Sequence, residues 1–270
     1  MADVSGLTHT IEAYNLSHAS ENKIHDDTVA QKLGFSGGLV PGVEVFAYAS
    51  HLPLARWGRA FLERGEIEAK FGKPVYDGRM ATASATEAPD GTLALRVESE
   101  GVECATGVAR LPASAGSAPD LSDYGYRTPP SDVSSRPPAD ESSLAVGNLL
   151  STVPAVLDRE RSEAYLKDVR ETNEIYAREG IAHPGLLLRL CNFALRENVV
   201  LPPWIQVGST MRNLSLARVG EALSARTRVV ANYDRKGHRL VDLDCLLLAD
   251  DRPVAHVLHT AIYKLRHLES

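Results

Sequence analysis

Two stretches of the chain carry hydrophobic residues at helical spacing and dominate its pattern. In the run VEVFAYASHL from Val43, Val45, Phe46, Ala49 and Leu52 form one apolar stripe, and Pro53 is expected to end or kink the helix there. In LLLRLCNFALRENVV from Leu186, the first three turns are apolar almost all round, which marks a helix buried on every side. Around each helix lie runs with strand character. Before them come Thr8–Tyr14 and Leu149–Val156. After them come Thr92–Val97 and Val102–Leu111 in the first half, and Leu240–Leu248 and Val254–Leu265 in the second. A central helix wrapped by several antiparallel strands is an α+β arrangement, and here it occurs twice.

The repetition extends to single residues. Asn22-Lys23-Ile24-His25, Gly34-Phe35 and Pro41-Gly42 precede the first helix, and Asn173-Glu174-Ile175-Tyr176, Gly180-Ile181 and Pro184-Gly185 precede the second. Gly42 to Gly78 spans 36 residues, and Gly185 to Gly220 spans 35. Several matches in the same order at like spacing indicate a duplicated unit. Between the copies, Pro112 to Ser143 holds six of the fifteen prolines, with many Ser and Asp and few aliphatic residues. Such a segment cannot repay its ordering entropy by burial, so it is expected to lie extended or mobile at the surface and to add nothing to the core. The resulting division is a first unit over 1–111, a linker over 112–145 and a second unit over 146–270.

Composition narrows the function. The 270 residues carry 29 Lys+Arg against 35 Asp+Glu, a net −6, and no basic block, which argues against nucleic acid or an anionic membrane as partner. An aromatic content of 6% leaves no base-stacking platform. Cys104, Cys191 and Cys245 are too far apart for a disulfide framework or a zinc site. The first residues, Met-Ala-Asp-Val-Ser-Gly, lack the pattern of a signal peptide, so a cytoplasmic protein is expected. Gly34 to Gly42 lacks the Lys-Ser/Thr of a phosphate-binding loop, and no Gly-x-Ser-x-Gly elbow is present. His256 and His259 fall on opposite faces of a strand, which excludes them as a metal pair.

Asn-x-Ile-His, Gly-Phe, Pro-Gly before the central helix, and Phe71-Gly-Lys-Pro-Val-Tyr-Asp-Gly78 together resemble the MaoC-like branch of the hot-dog superfamily, which includes (R)-specific enoyl-CoA hydratases and 3-hydroxyacyl dehydratases. The resemblance implies a double hot dog with a degenerate second copy. In the family signature, Gly-Asp-x-Asn-Pro-(Ile/Leu)-His, an Asp and a His form the catalytic dyad. Laid on this chain, the His falls on His25 and the Asn on Asn22, but the Asp falls on Ser20 and the Gly on Ala19. In the second copy the His position is Tyr176 and the Asp position is Glu171.

The dyad is therefore split between the copies. Hydration of an enoyl thioester needs a proton acceptor for water and a donor for the α-carbon. A serine can hold a water but cannot replace a carboxylate base. Glu21, Asp26 and Asp27 are neighbours that could substitute, although Asp27 reads as the cap of a turn over Thr28–Leu33, and Glu171 reads as a solvated loop acid. The resemblance implies a hydratase or dehydratase-type lyase acting on an acyl-CoA thioester or related small molecule. His25 would be its general acid/base, Ser20 would hold the water or substrate oxygen, and the Gly42 amide at a helix start would face the oxyanion. Asn22 and Pro41 would border the site, and Tyr176 and His183 would line a second pocket. No cofactor and no metal are implied, and a homodimer of double hot dogs is expected. Two other readings stand beside the lyase: an acyl-CoA thioesterase, and a binding or assembly subunit whose site has lapsed.

Overall fold

The computed structural model describes residues 6–18 and 20–266, so Ala19 and all but Gly6 of the residues read against a signal peptide lie outside the described residues. In the first half, β1 (Leu7–Glu12) precedes a short helix α1 (Asp27–Lys32) and the long helix α2 (Gly42–Trp57). Helix α3 (Arg59–Arg64) and strands β2 (Glu66–Phe71), β3 (Met80–Glu87), β4 (Leu93–Ser99) and β5 (Val102–Arg110) follow. The second half runs β6 (Leu149–Ser151), β7 (Ala155–Val156), α4 (Arg159–Asp168), α5 (Ile175–Glu179) and α6 (Pro184–Asn198). It closes with β8 (Ile205–Asn213), β9 (Ala222–Arg235), β10 (His238–Ala249) and β11 (Arg252–Lys264).

The strands form one antiparallel sheet in the order β1-β3-β4-β5-β2-β8-β11-β10-β9-β6, with β7 on β9. Five strands of the first half and six of the second meet at β2–β8, where Ile67 faces Met211 and Ala69 faces Ser209. Two helices lie on the inner face of the sheet. Strand β3 turns Ala81, Ala83 and Ala85 inward, and these small side chains let α2 sit close to the sheet. The helices also pack on each other, and Gly185 is what allows it. A Cβ at that position would overlap Tyr165 Oη and lie 2.7 Å from the Ala47 methyl.

The duplication is repeated in the hydrogen bonds. Val40 N–H donates to the Val75 carbonyl in one half and Ala182 N–H to the Ala217 carbonyl in the other, both at 2.9 Å. Leu39 bridges Tyr76 just as Ile181 bridges Arg218. Gly78 N–H donates to the Ala13 carbonyl, and Gly220 N–H to that of Leu157.

Three local expectations are corrected. Helix α2 passes through Pro53 to Trp57 and ends at Gly58, which takes a positive φ of 59°. Burial of Val45 through Leu54 outweighs the one hydrogen bond that the proline lacks. The cap of α1 is Asp26, whose Oδ1 accepts from Val29 N–H at 3.0 Å, while Asp27 Oδ1 accepts from Gly38 N–H at 2.7 Å and ties down the next loop. The Pro-rich segment lies extended across the surface as expected, but it does contribute a small core. Tyr124 is buried on Leu246 and Leu248, on the outer face of the sheet. Its hydroxyl donates to Asp244 Oδ1 at 2.8 Å, and Arg228 and His256 hold the same carboxylate. His256 thus belongs to the outer face and His259 to the inner, as strand alternation requires.

Among the described residues, no helix is long and apolar enough to cross a membrane, and no group of three or more His, Cys, Asp or Glu is placed to hold a metal ion.

Candidate functional site

Asn22 organises the first signature loop. Its side-chain oxygen accepts from Ile24 N–H and caps the single turn Lys23–His25, which sets the direction in which the histidine leaves the loop. The same oxygen accepts from Trp204 N–H at 3.2 Å, and Nδ2 donates to the Trp204 carbonyl at 3.0 Å. One carboxamide therefore pins the loop of the first half to the strand entry of the second.

His25 is buried, and both of its ring nitrogens have defined partners. Nδ1 lies 2.6 Å from the Leu39 carbonyl oxygen, which can only accept, so Nδ1 carries the proton. Nε2 keeps its lone pair and faces Asn22 Nδ2 at 3.3 Å. Burial disfavours the imidazolium more than the Leu39 carbonyl favours it, the electrostatic influence of His18 and Arg189 adds to this, and the ring is lowered to about 4. His25 is thus neutral at cellular pH, in a single tautomer with Nε2 as the basic atom.

A cavity of about 30 Å³ opens beside the ring, bounded by His25, Pro41, Gly42, Asn192, Trp204 and Gln206. Gly42 is the first residue of α2, and the leading N–H groups of a helix have no acceptor within it. That end also carries the positive pole of the helix dipole. A Cβ on residue 42 would lie 2.9 Å from Gln206 Oε1, so a larger residue would displace the carboxamide that glycine lets sit against the helix start. Outside this cavity, and sharing Asn22 and Trp204 with it, lies a chamber of about 400 Å³ walled by Ser20, Lys23, Arg196 and Leu201.

Four of the sequence-predicted residues, His25, Asn22, Pro41 and Gly42, therefore meet around one cavity. Ser20 does not join them. It lines the outer chamber, and its hydroxyl donates to the carbonyl of Asn22 at 3.1 Å. None of Glu21, Asp26, Asp27 or Glu171 borders the His25 cavity, so no carboxylate replaces the family aspartate there. Asn192, Trp204 and Gln206 were not foreseen, because they come from the second half and no local motif marks them.

Tyr176 and His183 stand in a different place, in the core behind the second signature loop. Their rings are 4.7 Å apart, and His183 Nδ1 accepts from Gly185 N–H at 3.0 Å, so this histidine caps α6. Glu171, read from the sequence as a solvated acid, is buried between them and the first half. Its Oε1 lies 2.8 Å from His51 Nδ1, its Oε2 3.5 Å from His183 Nε2, and Asn173 N–H donates to it at 2.6 Å. Burial pushes this carboxyl up, but the contacts with His183 and His51 outweigh that and hold it well below the ordinary range. The histidine partners arrive from α2 and from the start of α6, which the spacing of the signature does not show.

No protein-family model and no curated protein matches the sequence. Solved structures do match the fold over nearly the whole chain. A conserved protein of Mycobacterium tuberculosis with a double hot-dog fold superposes with a TM-score of 0.62 at 14% identity, covering 95% of this chain and 96% of its own. A MaoC-like dehydratase superposes at 0.57 with 14% identity, covering 97% and 99%. The dehydratase domain of RzxB from Pseudomonas fluorescens superposes at 0.55 with 10% identity, covering 96% and 95%. The chain has the double hot-dog fold, in the form also found in MaoC-like dehydratases.

Proposed function

We propose that this protein is a hydratase or dehydratase acting on an acyl thioester, with its chemistry at the His25 cavity. The observation that carries the reading is the meeting of His25 Nε2 with the open N-terminus of α2 in a cavity closed by the second half. A thioester carbonyl placed at that helix end would have its developing negative charge stabilised by preorganised N–H groups and the helix dipole. In the hydration direction, the water oxygen bonds to C3 as the C2=C3 π bond breaks toward C2. Nε2 takes one proton from that water and returns a proton to C2, so the net change is addition of H₂O across the double bond. Leu39 keeps the ring in the tautomer that makes Nε2 the acceptor throughout. Structural neighbours include dehydratases, whose reaction is the reverse of this addition and uses the same groups in the opposite order.

A thioesterase is the second reading, and it is favoured by the lack of any carboxylate around the His25 cavity. The deciding experiment offers a panel of 2-enoyl-CoA and saturated acyl-CoA substrates and reads both loss of the enoyl chromophore and release of free thiol. Hydration is expected, with kcat falling by roughly 10²-fold or more in His25→Ala. Thiol release without hydration would move the assignment to the thioesterase, and hydration that survives intact in His25→Ala would remove His25 from the mechanism.

A further inference from the structure

Two carboxamide oxygens border the His25 cavity with nothing bonded to them. Gln206 Oε1, from β8, and Asn192 Oδ1, from α6, are both shielded from solvent and accept no hydrogen bond. Unpaired buried acceptors are destabilising, and two of them at one cavity call for a ligand that donates.

The orientation of Gln206 is fixed from behind. Its Nε2 donates to Ser209 Oγ at 2.8 Å, and Ser209 sits directly opposite His259 in the β8–β11 register. The serine proton goes to the Gly208 carbonyl at 2.8 Å, so His259 Nδ1, at 2.9 Å, is a second donor to Oγ. With its amide nitrogen held there, Gln206 turns its oxygen toward the start of α2, where the helix dipole favours it. Gln206 is 5% exposed and His259 1%, so the arrangement is shielded from bulk solvent. The cavity of about 30 Å³ is large enough for a water, which requires roughly 10–15 Å³ and two to four polar partners.

We propose that Gln206 Oε1 and Asn192 Oδ1 bind the water that adds to the substrate, or the hydroxyl that leaves it, with Ser209 and His259 as positioning residues. The proposal rests on the hydratase reading above. Gln206 Oε1 and Asn192 Oδ1 offer acceptors to the two protons of one water, which turns the water's lone pairs away from them and toward C3, and His25 Nε2, which accepts from Asn22 Nδ2 at rest, takes a proton when that bond yields. One proton passes to Nε2, while the other stays hydrogen-bonded to a carboxamide oxygen and becomes the hydroxyl proton of the product. Neutral amides thus take over the water-holding task for which this chain has no carboxylate.

The test compares full-length wild type with Gln206→Leu, by crystal structures at a resolution that places waters and by hydration of crotonyl-CoA. Wild type is expected to show an ordered water within hydrogen-bond distance of both oxygens, and the variant is expected to lose it. kcat should fall by roughly 10²-fold, the scale of a misplaced reacting group, with KM little changed. Ser209→Ala should give a smaller fall in kcat, and Ser209→Thr, which keeps the hydroxyl, should restore it. Should Gln206→Leu fail to fold, the Ser209 pair and the wild-type water carry the test. No water between the two oxygens in wild type, or a raised KM with kcat unchanged, would overturn the proposal. Absence of hydration from the wild type on any enoyl-CoA, with the water present and lost on substitution, would remove the hydratase reading and leave the water site standing.

Discussion

Glu44 offers the sharpest test of how burial and charge balance in this fold. It lies in the first turn of α2, 0% exposed, with both carboxyl oxygens free of hydrogen bonds. Its one charged contact is Arg189 Nε, 3.4 Å from Oε1, and that guanidinium is 24% exposed. Burial is the larger effect and raises the carboxyl to about 7, against an ordinary 4.5, despite the pull of Arg189. Between pH 4.5 and 7 the folded chain therefore holds a proton that the unfolded chain has released. Stability contributed by the neutral carboxyl is lost as pH rises across that window, at about 1.4 kcal/mol per pH unit, for a total of about 3 kcal/mol. Glu44→Gln removes the titration while keeping the shape. The difference between variant and wild type should be small and flat below pH 4.5, then grow in the variant's favour and level off above pH 7 at about 3 kcal/mol. Urea unfolding of both proteins at half-unit steps from pH 4.5 to 8.5 measures this directly, since every other titrating group is common to the pair. In thermal melts at pH 8 the same energy corresponds to roughly 6–10 °C. A difference that does not change with pH, or a variant less stable than wild type at pH 8, would mean that Arg189 keeps Glu44 ionised and that the burial argument is wrong.

Two further outcomes follow from carboxylates held by several partners. Glu171→Gln should cost about 3 kcal/mol at pH 7 in thermal or urea unfolding, because it strips the charge from a carboxylate held by His51, His183 and Asn173. A loss under 1 kcal/mol would return Glu171 to the status of a surface acid. Tyr124→Phe removes a donor to the ionised Asp244 and should weaken the strap by roughly 2 kcal/mol. Hydrogen exchange should quicken at Tyr124 and Arg127 while β10 stays protected, and equal protection in both proteins would refute a clasping role for the hydroxyl.

The fold was largely legible because hot-dog units are specified locally. The two apolar helices, the glycines that follow them at matching distances and the alternating strands each sit within one stretch of sequence. What was missed depends on contacts between distant stretches. Pro53 reads as an end or a kink, and the burial of its neighbours carries α2 past it without an end there. Tyr124 reads as one aromatic in a polar linker, and nothing in the linker reveals that Leu246, Leu248 and Asp244 wait for it on the outer face of β10. The joining of both halves into a single sheet at β2–β8 likewise has no signature in either strand.

The candidate site divides along the same line, and the division sets the two copies apart. His25, Asn22 and Gly42 are local to the first signature, and the family resemblance singled them out. Gln206, Asn192 and Trp204 come from the second half, so the cavity exists only where the two halves meet. In the second copy the matching helix start is already taken. His183 Nδ1 accepts the Gly185 N–H at 3.0 Å, and Ala47 and Tyr165 crowd the space in front of that glycine. A thioester carbonyl has neither a free donor nor room there, and Glu171, the acid that this copy retains, is bound to histidines that hold it inside the core. The first copy shows the opposite arrangement, with a helix start covered only by the carboxamide of Gln206 and an imidazole whose basic nitrogen is directed by its own backbone. Divergence of the duplicated unit has left His25 and a helix start without a side-chain cap in one half. The other half has become the wall that closes over them.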